Sequence, residues 1–150
     1  MKCKLFTTAA LLAFLLLPVA RAQLNDPMKG NIPFDFTVGS TVLPAGHYTV
    51  GALSFGTGVL LLRNSEAKNA TIMFRSMAVS ATSPQTTKLI FHRYGRTYFL
   101  SEIWQGLGQS DGRRLVPSKA ERVVARQMAA APQPQHLEVA SVAFTASGIN

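Results

Sequence analysis

Short runs of alternating apolar and polar residues, separated by turn-forming residues, occupy residues 32–104 of the chain. In residues 32–38 every second side chain is apolar and either aromatic or branched, and this period of two predicts a half-buried β-strand. Pro33 has no backbone N–H to donate, so we expect that strand to lie at a sheet edge or to begin at Asp35. A second strand is predicted over residues 47–53, after the turn-forming residues 43–46.

Four further strands are predicted downstream. Residues 59–63 and 70–74 are short apolar runs, and the Ser/Thr-rich stretch 76–87 is predicted to be a loop. Residues 88–92 and 97–104 flank a short segment with a central glycine, which predicts a β-hairpin. The hairpin loop is ambiguous in length by one residue, and a slip of one residue would exchange the two faces of each strand.

The pattern changes after residue 104. Residues 105–112 contain three glycines and are predicted to be a loop. A helix is predicted over residues 119–131, because Ser118 is a natural N-cap and Glu121 stands three residues later, as in a capping box. Residues 137–144 alternate again and predict a closing strand. The helix side expected to face the sheet carries Ala120, Val123, Val124, Gln127, Met128 and Ala131, and Lys119, Arg122 and Arg126 lie on the other.

These elements predict a mostly β protein, an antiparallel β-sandwich or small barrel with one C-terminal amphipathic helix. Strands that follow one another through short turns favour antiparallel pairing. No helix is predicted between residues 32 and 104, and parallel α/β folds need a crossover, usually a helix, between neighbouring strands. We expect residues 23–31 to be a polar lead-in and residues 32–150 to form a single domain.

The first 22 residues have the pattern of a signal peptide. Lys2 and Lys4 precede an apolar core of about thirteen residues, too short for a membrane-spanning helix, which needs roughly 20. The core is followed by the small-x-small sequence Ala20-Arg21-Ala22. We therefore expect cleavage after Ala22, export to the periplasm or the extracellular space, and no transmembrane segment in the mature chain.

The composition of the mature chain excludes several kinds of site. The whole chain has 150 residues and a net charge of +8. Residues 1–22 hold three of the 15 basic residues and none of the seven acidic ones, which leaves a net charge of +5 after cleavage. The one cysteine, Cys3, is removed with the signal peptide, so no disulfide or multi-cysteine metal site is expected. We expect no cofactor.

Candidate catalytic residues are few. The mature chain has no cysteine nucleophile and no glycine-rich phosphate loop. Asp35 and Glu102 are carboxylates on predicted strands, and His92 lies nearby on the hairpin. Together they would suit a small hydrolase or lyase if they converged in one concavity. The simpler expectation is that Glu102 pairs with a base such as Arg93 or Lys88.

The basic residues cluster around the hairpin and the segment after it. Arginine side chains can contact anionic groups while aromatic rings stack on sugars or bases. A partner of this kind would be an anionic envelope or extracellular polymer, or another envelope protein, because nucleic acid is not expected outside the cell. The candidate binding residues are Arg93, Arg96, Tyr98, Trp104, Arg113 and Arg114.

Two stretches carry a resemblance. The first is residues 32–50, which include the run Leu43-Pro44-Ala45-Gly46-His47-Tyr48-Thr49-Val50. The second is residues 91–104, which extend from Phe91-His92-Arg93-Tyr94-Gly95 to Trp104. Both resemble small exported proteins of acidobacterial soil bacteria whose function is uncharacterised. The resemblance implies export and β structure and no activity. Residues 43–50 are also similar to the turn and strand of carboxypeptidase-regulatory-like β-sandwich modules.

The leading hypothesis is therefore an exported, non-enzymatic β-domain that is a binding or structural component of the envelope or the extracellular space. The hydrolase or lyase built on Asp35, His92 and Glu102 is the first alternative. The second alternative is a carrier that holds a small apolar ligand in a barrel, which requires an interior cavity rather than a filled core.

Overall fold

The secondary structure is almost entirely β. The computed structural model describes residues 25–52, 58–66, 71–80, 86–106, 111–131 and 137–146. The predicted signal peptide and its cleavage site at Ala22 lie outside the described residues. The described elements are β1 Asn25–Ile32, β2 Phe36–Val38, β3 Thr41–Leu43, β4 Gly46–Ala52, β5 Val59–Asn64, β6 Thr71–Ser80, β7 Lys88–Tyr94, β8 Thr97–Gln105, β9 Asp111–Leu115, α1 Lys119–Ala129, β10 Glu138–Ala143 and β11 Thr145–Ala146.

All of the described strands belong to one sheet. The main path has the order β10-β7-β8-β9-β6-β5-β4-β1-β11 and is antiparallel throughout. Off this path, β2 runs parallel to β8 at Thr37 and Phe99, and β3 pairs with β2. The prediction of a mostly β, antiparallel fold with a C-terminal helix is confirmed.

The sheet folds over at β6 and is not closed into a barrel. Residues 71–75 of β6 pair with β5, and residues 76–80 pair with β9, so one long strand belongs to both halves of the sheet. The two ends of the path are β10 and β11, which are consecutive in sequence with Phe144 between them. Phe144 is buried in the core, so this residue joins the two halves on the side opposite β6.

Large side chains from both halves fill one core. Burial of this apolar surface stabilises the fold by about 25 cal/mol per Å², and a chain with a single cysteine has no internal disulfide. Three rings pack edge to face in its centre, because the Phe36 centroid lies 5.2 Å from Tyr48 and 5.4 Å from Phe91. The buried cluster comprises Met28, Ile32, Phe36, Val38, Leu43, Tyr48, Val50, Leu60, Leu62, Leu89, Phe91, Leu100, Ile103, Leu115 and Phe144.

The strands of the N-terminal part begin and end at other residues than predicted. The predicted lead-in 23–31 contains most of strand β1, which pairs with β4 from Asn25 to Ile32. The single strand predicted over residues 32–38 is two strands, interrupted at residues 33–35, as the missing donor of Pro33 suggested. Thr37 of β2 is buried together with Phe36 and Val38, so burial does not alternate along this strand.

Two strands extend into segments that were predicted to be loops. Strand β6 continues to Ser80, six residues past the predicted end and inside the Ser/Thr-rich stretch. Strand β9 begins at Asp111, within the glycine-rich segment. Each of these segments pairs with the other, Ser76 opposite Leu115 and Ser80 opposite Asp111. A partner distant in sequence, rather than local propensity, therefore makes them strands.

Candidate functional site

The hairpin of β7 and β8 carries most of the predicted site residues. Tyr94 pairs with Thr97 across a two-residue turn formed by Gly95 and Arg96. Gly95 has a φ of +61°, a conformation that glycine adopts without steric cost. The predicted hairpin is confirmed, and its register is now defined.

A β-bulge at Ser101 changes the faces of β8. Ile90 pairs with Glu102 and Phe91 pairs with Leu100, which leaves Ser101 as an extra residue without a partner on β7. Before the bulge Leu100 faces the core, and after it Ile103 does. Strict alternation along β8 would put Glu102 and Trp104 on the same face as Tyr98 and Leu100, but the extra residue turns them to the outer face. Trp104 is buried but lies outside the core cluster.

Ser101, His92 and Glu121 form a continuous hydrogen-bonded chain on the outer face. The Ser101 Oγ atom lies 3.0 Å from His92 Nε2, and His92 Nδ1 lies 2.7 Å from Glu121 Oε1. A carboxylate can only accept, so Nδ1 carries the proton that is donated to Glu121. In neutral His92, Nε2 then accepts the hydroxyl proton of Ser101. We call these three residues the Ser101–His92–Glu121 relay.

The relay is well covered by protein. Ser101 is 6% exposed and Glu121 is 5% exposed, whereas 26% of the His92 side chain is exposed. Burial of Tyr94, followed by the nearby Glu121 carboxylate, raises the pKa of Tyr94 above its ordinary value. The Tyr94 ring lies edge-on to His92, with centroids 6.3 Å apart. The imidazole is therefore held in one orientation from three sides.

Helix α1 places Glu121 on the relay. The Ser118 Oγ atom accepts a hydrogen bond from the Glu121 backbone N–H at 3.1 Å, which confirms the predicted N-cap. The Glu121 side chain, however, reaches His92 on β7, so its position is explained by contact with the sheet rather than by capping alone. Glu121 is the one charged residue that is buried in the described part of the chain.

The helix is shorter and rotated compared with its prediction. It ends at Ala129 rather than at residue 131. Lys119, Arg122 and Arg126 are exposed, as expected. Ala120, Val123 and Gln127 are also exposed, so they do not face the sheet. The covered side, at a spacing of three and four residues, consists of Glu121, Val124, Ala125 and Met128.

Two of the predicted binding residues, Tyr98 and Arg93, make contacts within the protein. The Tyr98 ring stacks on Phe34 with centroids 3.9 Å apart and an interplanar angle of 15°. The Arg93 guanidinium lies 5.6 Å from the Tyr98 centroid. Arg93 also pairs with Glu138 of β10 at 2.8 Å and donates to the Gly95 carbonyl at 2.9 Å. Both side chains thus support the fold at this end of the sheet.

Glu102, Trp104 and Arg114 form a second polar cluster on the outer face. Arg114 donates to Glu102 Oε1 at 2.8 Å, and the Trp104 Nε1–H donates to Glu102 Oε2 at 2.9 Å. The predicted pairing of Glu102 with a base is confirmed, although the base is Arg114 and not Arg93 or Lys88. Trp104 is only 6% exposed and lies against Gly112, which leaves little of its ring for stacking on a polymer.

The remaining predicted residues are dispersed. Arg96 is exposed in the hairpin turn, and Arg113 is half-buried on β9 opposite Ile103. The exposed Asp35 accepts a hydrogen bond from the Ala45 backbone N–H at 2.8 Å and so ties the segment after β1 to the turn before β4. In the structure His92 therefore contacts Ser101 and Glu121, whereas Asp35 binds the backbone of Ala45.

Sequence reasoning missed Ser101 entirely and treated Glu121 as a cap. The serine lies in an apolar, aromatic strand without the glycine-flanked pattern of a nucleophile elbow. The one available signal was Ser118 followed by Glu121 in a helix start, a pair that fits capping equally well. Only the bulge on β8 and the docking of α1 bring the three side chains together.

Other binding features were sought in the same part of the molecule. An open surface cavity of about 510 Å³ is lined by Val59, Arg75, Ser76, Met77 and Val116, away from the relay. Within the described ranges, no group of three or more His, Cys, Asp or Glu residues is placed to hold a metal ion. The carrier hypothesis stays a prediction, and the described core is filled by large side chains.

The described residues include no helix with the length and apolar character that crossing a membrane requires. Comparison with protein-family models, with curated proteins and with solved structures finds no match to this chain. Its function must therefore be inferred from the geometry of its own residues.

Proposed function

We propose that this chain is an exported β-domain that binds an anionic polymer of the envelope or the extracellular space through the exposed side of α1. The observation that supports this role is a separation of charge on the helix. Lys119, Arg122 and Arg126 are exposed, whereas Glu121, the helix's one acidic residue, is turned inward and bonded to His92. Every charged residue on the outward side of α1 is therefore a cation.

The spacing of the three cations suits a polymer. Residues at positions i, i+3 and i+7 lie on one side of a helix, and seven residues span about 10 Å along its axis. A polyanion with repeated charges can contact all three at once, which compensates for the weakness of each exposed contact in salt. The exposed Arg96, in the hairpin turn two residues after Tyr94, adds a fourth cation.

The proposed surface differs from the six residues that sequence reasoning selected. Arg93 and Arg114 are paired with Glu138 and Glu102, so a partner would have to compete with those carboxylates. Trp104 is buried. We therefore place binding on the helix side and Arg96, and we treat the Glu102–Arg114 pair as structural.

Export is part of the proposal and is supported by the signal-peptide pattern of residues 1–22. Expression of the whole gene in a Gram-negative host should yield a periplasmic or extracellular product whose N-terminus is Gln23 by mass spectrometry. Replacing Ala20 and Ala22 by Arg should block this processing. A product that keeps residue 1 and remains in the membrane fraction would contradict the proposed export.

Affinity electrophoresis tests the binding role. The purified protein is run through native gels that contain polygalacturonate, an anionic polysaccharide, or dextran, a neutral one. Polygalacturonate should retard the protein, the retardation should weaken with added salt, and dextran should have no effect. A triple substitution Lys119→Gln, Arg122→Gln and Arg126→Gln should remove most of the retardation.

A matched triple variant separates a local surface from net charge. Lys29, Arg63 and Arg75 are exposed on β1, β5 and β6, and their replacement by Gln removes the same charge. This control should retain the retardation. Equal losses in the two triple variants would mean that binding depends on total charge alone and would overturn the helix surface as the binding site.

A further inference from the structure

We propose that Ser101 is a nucleophile, activated by His92, that accepts the acyl group of small esters. This activity goes beyond the proposed binding role and rests on different residues. Nucleophilic serines are recognised by a base within about 2.6–3.2 Å of the hydroxyl and by a third group that orients the base. The relay meets both conditions, at 3.0 Å for Ser101 Oγ to His92 Nε2 and 2.7 Å for His92 Nδ1 to Glu121 Oε1.

The order of atoms along the relay is the order that serine catalysis requires. Glu121 accepts the Nδ1 proton, which fixes the tautomer of His92 with Nε2 free to take the proton of Ser101. A buried carboxylate also stabilises the imidazolium that forms after that transfer. Glu121 is thus a positioning residue, and Ser101 and His92 are the two groups that would touch the substrate.

The bulge on β8 is what places Ser101 here. In a regular antiparallel pair, every residue of β8 would oppose one residue of β7, whereas Ser101 is the inserted residue. Bulges redirect side chains and are frequent beside active sites. Ser118 holds the backbone of Glu121 through the N-cap, and the Tyr94 ring lies edge-on to His92.

The reaction is acyl transfer with water as the final acceptor. The Ser101 Oγ atom attacks the ester carbonyl carbon while its proton passes to His92 Nε2. Collapse of the tetrahedral intermediate breaks the bond to the alkoxide, which leaves with the proton from Nε2, and an acyl-serine remains. Water, deprotonated by the same nitrogen, then attacks the acyl carbon. The bond to Ser101 Oγ breaks, Nε2 returns the proton to that oxygen, and the carboxylic acid is released.

The burial of the relay limits the size of the substrate that can reach Ser101. Ser101 is buried, and His92 is the partly exposed member of the relay, so only a small acyl group can approach. General-base activation by itself contributes about 10²–10⁴-fold. We therefore expect slow acylation, and covalent labelling is a more direct readout than turnover.

A small alkyl fluorophosphonate is the probe. The Ser101 oxygen would form a bond to phosphorus, fluoride would leave, and His92 would pass the serine proton to solvent. Intact mass spectrometry of the purified protein should show one added phosphonate, and peptide mapping should place it on Ser101. Because the label is located in the native protein, the result does not depend on whether a variant folds.

Substitutions then assign the roles. Ser141→Ala, at an exposed serine on β10, should label like the native protein. His92→Gln should slow labelling by about 10²-fold or more. Glu121→Gln, which preserves side-chain size, should slow labelling and also remove the downfield N–H proton signal of His92 in the NMR spectrum, which a purely structural contact to the helix backbone would not affect.

Three results would overturn the proposal. They are an unlabelled native protein, a label on another serine, and a labelling rate that His92→Gln leaves unchanged. Any of them would mean that the relay only docks α1 on the sheet. Polygalacturonate binding would be unaffected by such a result, so failure of this inference is distinguishable from failure of the proposed binding role.

Discussion

The Tyr48 hydroxyl donates a 2.6 Å hydrogen bond to the carbonyl oxygen of Pro44, four residues earlier. This contact explains the run Leu43-Pro44-Ala45-Gly46-His47-Tyr48 as one structural unit. The buried ring anchors β4 in the core while its hydroxyl holds the preceding turn. Gly46 has a φ of +149°, a conformation that L side chains rarely adopt, so glycine is needed where the turn meets the strand.

Tyr48→Phe should destabilise the protein by about 1 kcal/mol, the net value of a hydrogen bond of this kind. The ring remains in the core, so the change isolates the hydroxyl from the packing. Urea unfolding followed by fluorescence measures the difference. Tyr98→Phe, which keeps the stack on Phe34, serves as the control. An unchanged unfolding midpoint for Tyr48→Phe would contradict the role assigned to the hydroxyl.

The buried tyrosines should make the fold sensitive to alkali. Burial raises the pKa of both Tyr48 and Tyr94 above the ordinary value of 10.0. The unfolded chain therefore loses these protons at a lower pH than the folded protein does. The stability that these two tyrosines contribute is fully present below about pH 10, and it is lost as the pH rises through their pKa values in the folded protein.

Urea unfolding at a series of pH values from about 8 to 11 measures this effect. The double variant Tyr48→Phe and Tyr94→Phe should lose less stability over the range than the native protein, because it lacks the two shifted groups. Lysine deprotonation affects both proteins equally and cancels in the comparison. Parallel curves for the two proteins would rule out the tyrosines as the cause.

Local sequence patterns were sufficient for the hairpin and for the helix start. Gly95 between two alternating runs predicted the pairing of β7 with β8, and Ser118 predicted the N-cap. Both features depend on residues within a few positions of one another, and their energetics are mainly local. The positions of Tyr48 and Val50 in the core also followed from alternation in β4.

Features that depend on distant partners could not be predicted. The bulge at Ser101 is visible only when β8 is aligned on β7, and nothing in Leu100-Ser101-Glu102 resembles a bulge signal such as glycine. The strand character of residues 76–80 arises from pairing with β9, more than thirty residues later. Consequently the outward orientation of Glu102, and with it the Ser101–His92–Glu121 relay, was not accessible from the sequence.

Gly30→Ala should weaken the connection between the two halves of the sheet. A Cβ atom at Gly30 would lie 2.6 Å from Cδ2 of Phe144, and overpacking of this kind costs about 1–3 kcal/mol. A double-mutant cycle with Phe144→Leu checks the mechanism, because the smaller side chain should relieve part of the cost. Strictly additive losses in the two single variants would show that the residues do not meet.

The last prediction compares the two contacts that hold the start of α1. Ser118→Ala should cost about 1 kcal/mol through loss of the cap. Glu121→Ala should cost about 1–3 kcal/mol, because the Nδ1–H group of half-buried His92 is left without its acceptor. Hydrogen exchange should show lower protection in α1 for both variants, whereas lower protection in β7 is expected for Glu121→Ala alone. Loss of protection confined to the helix in both would mean that Glu121 acts only as a cap and that the sheet does not need it.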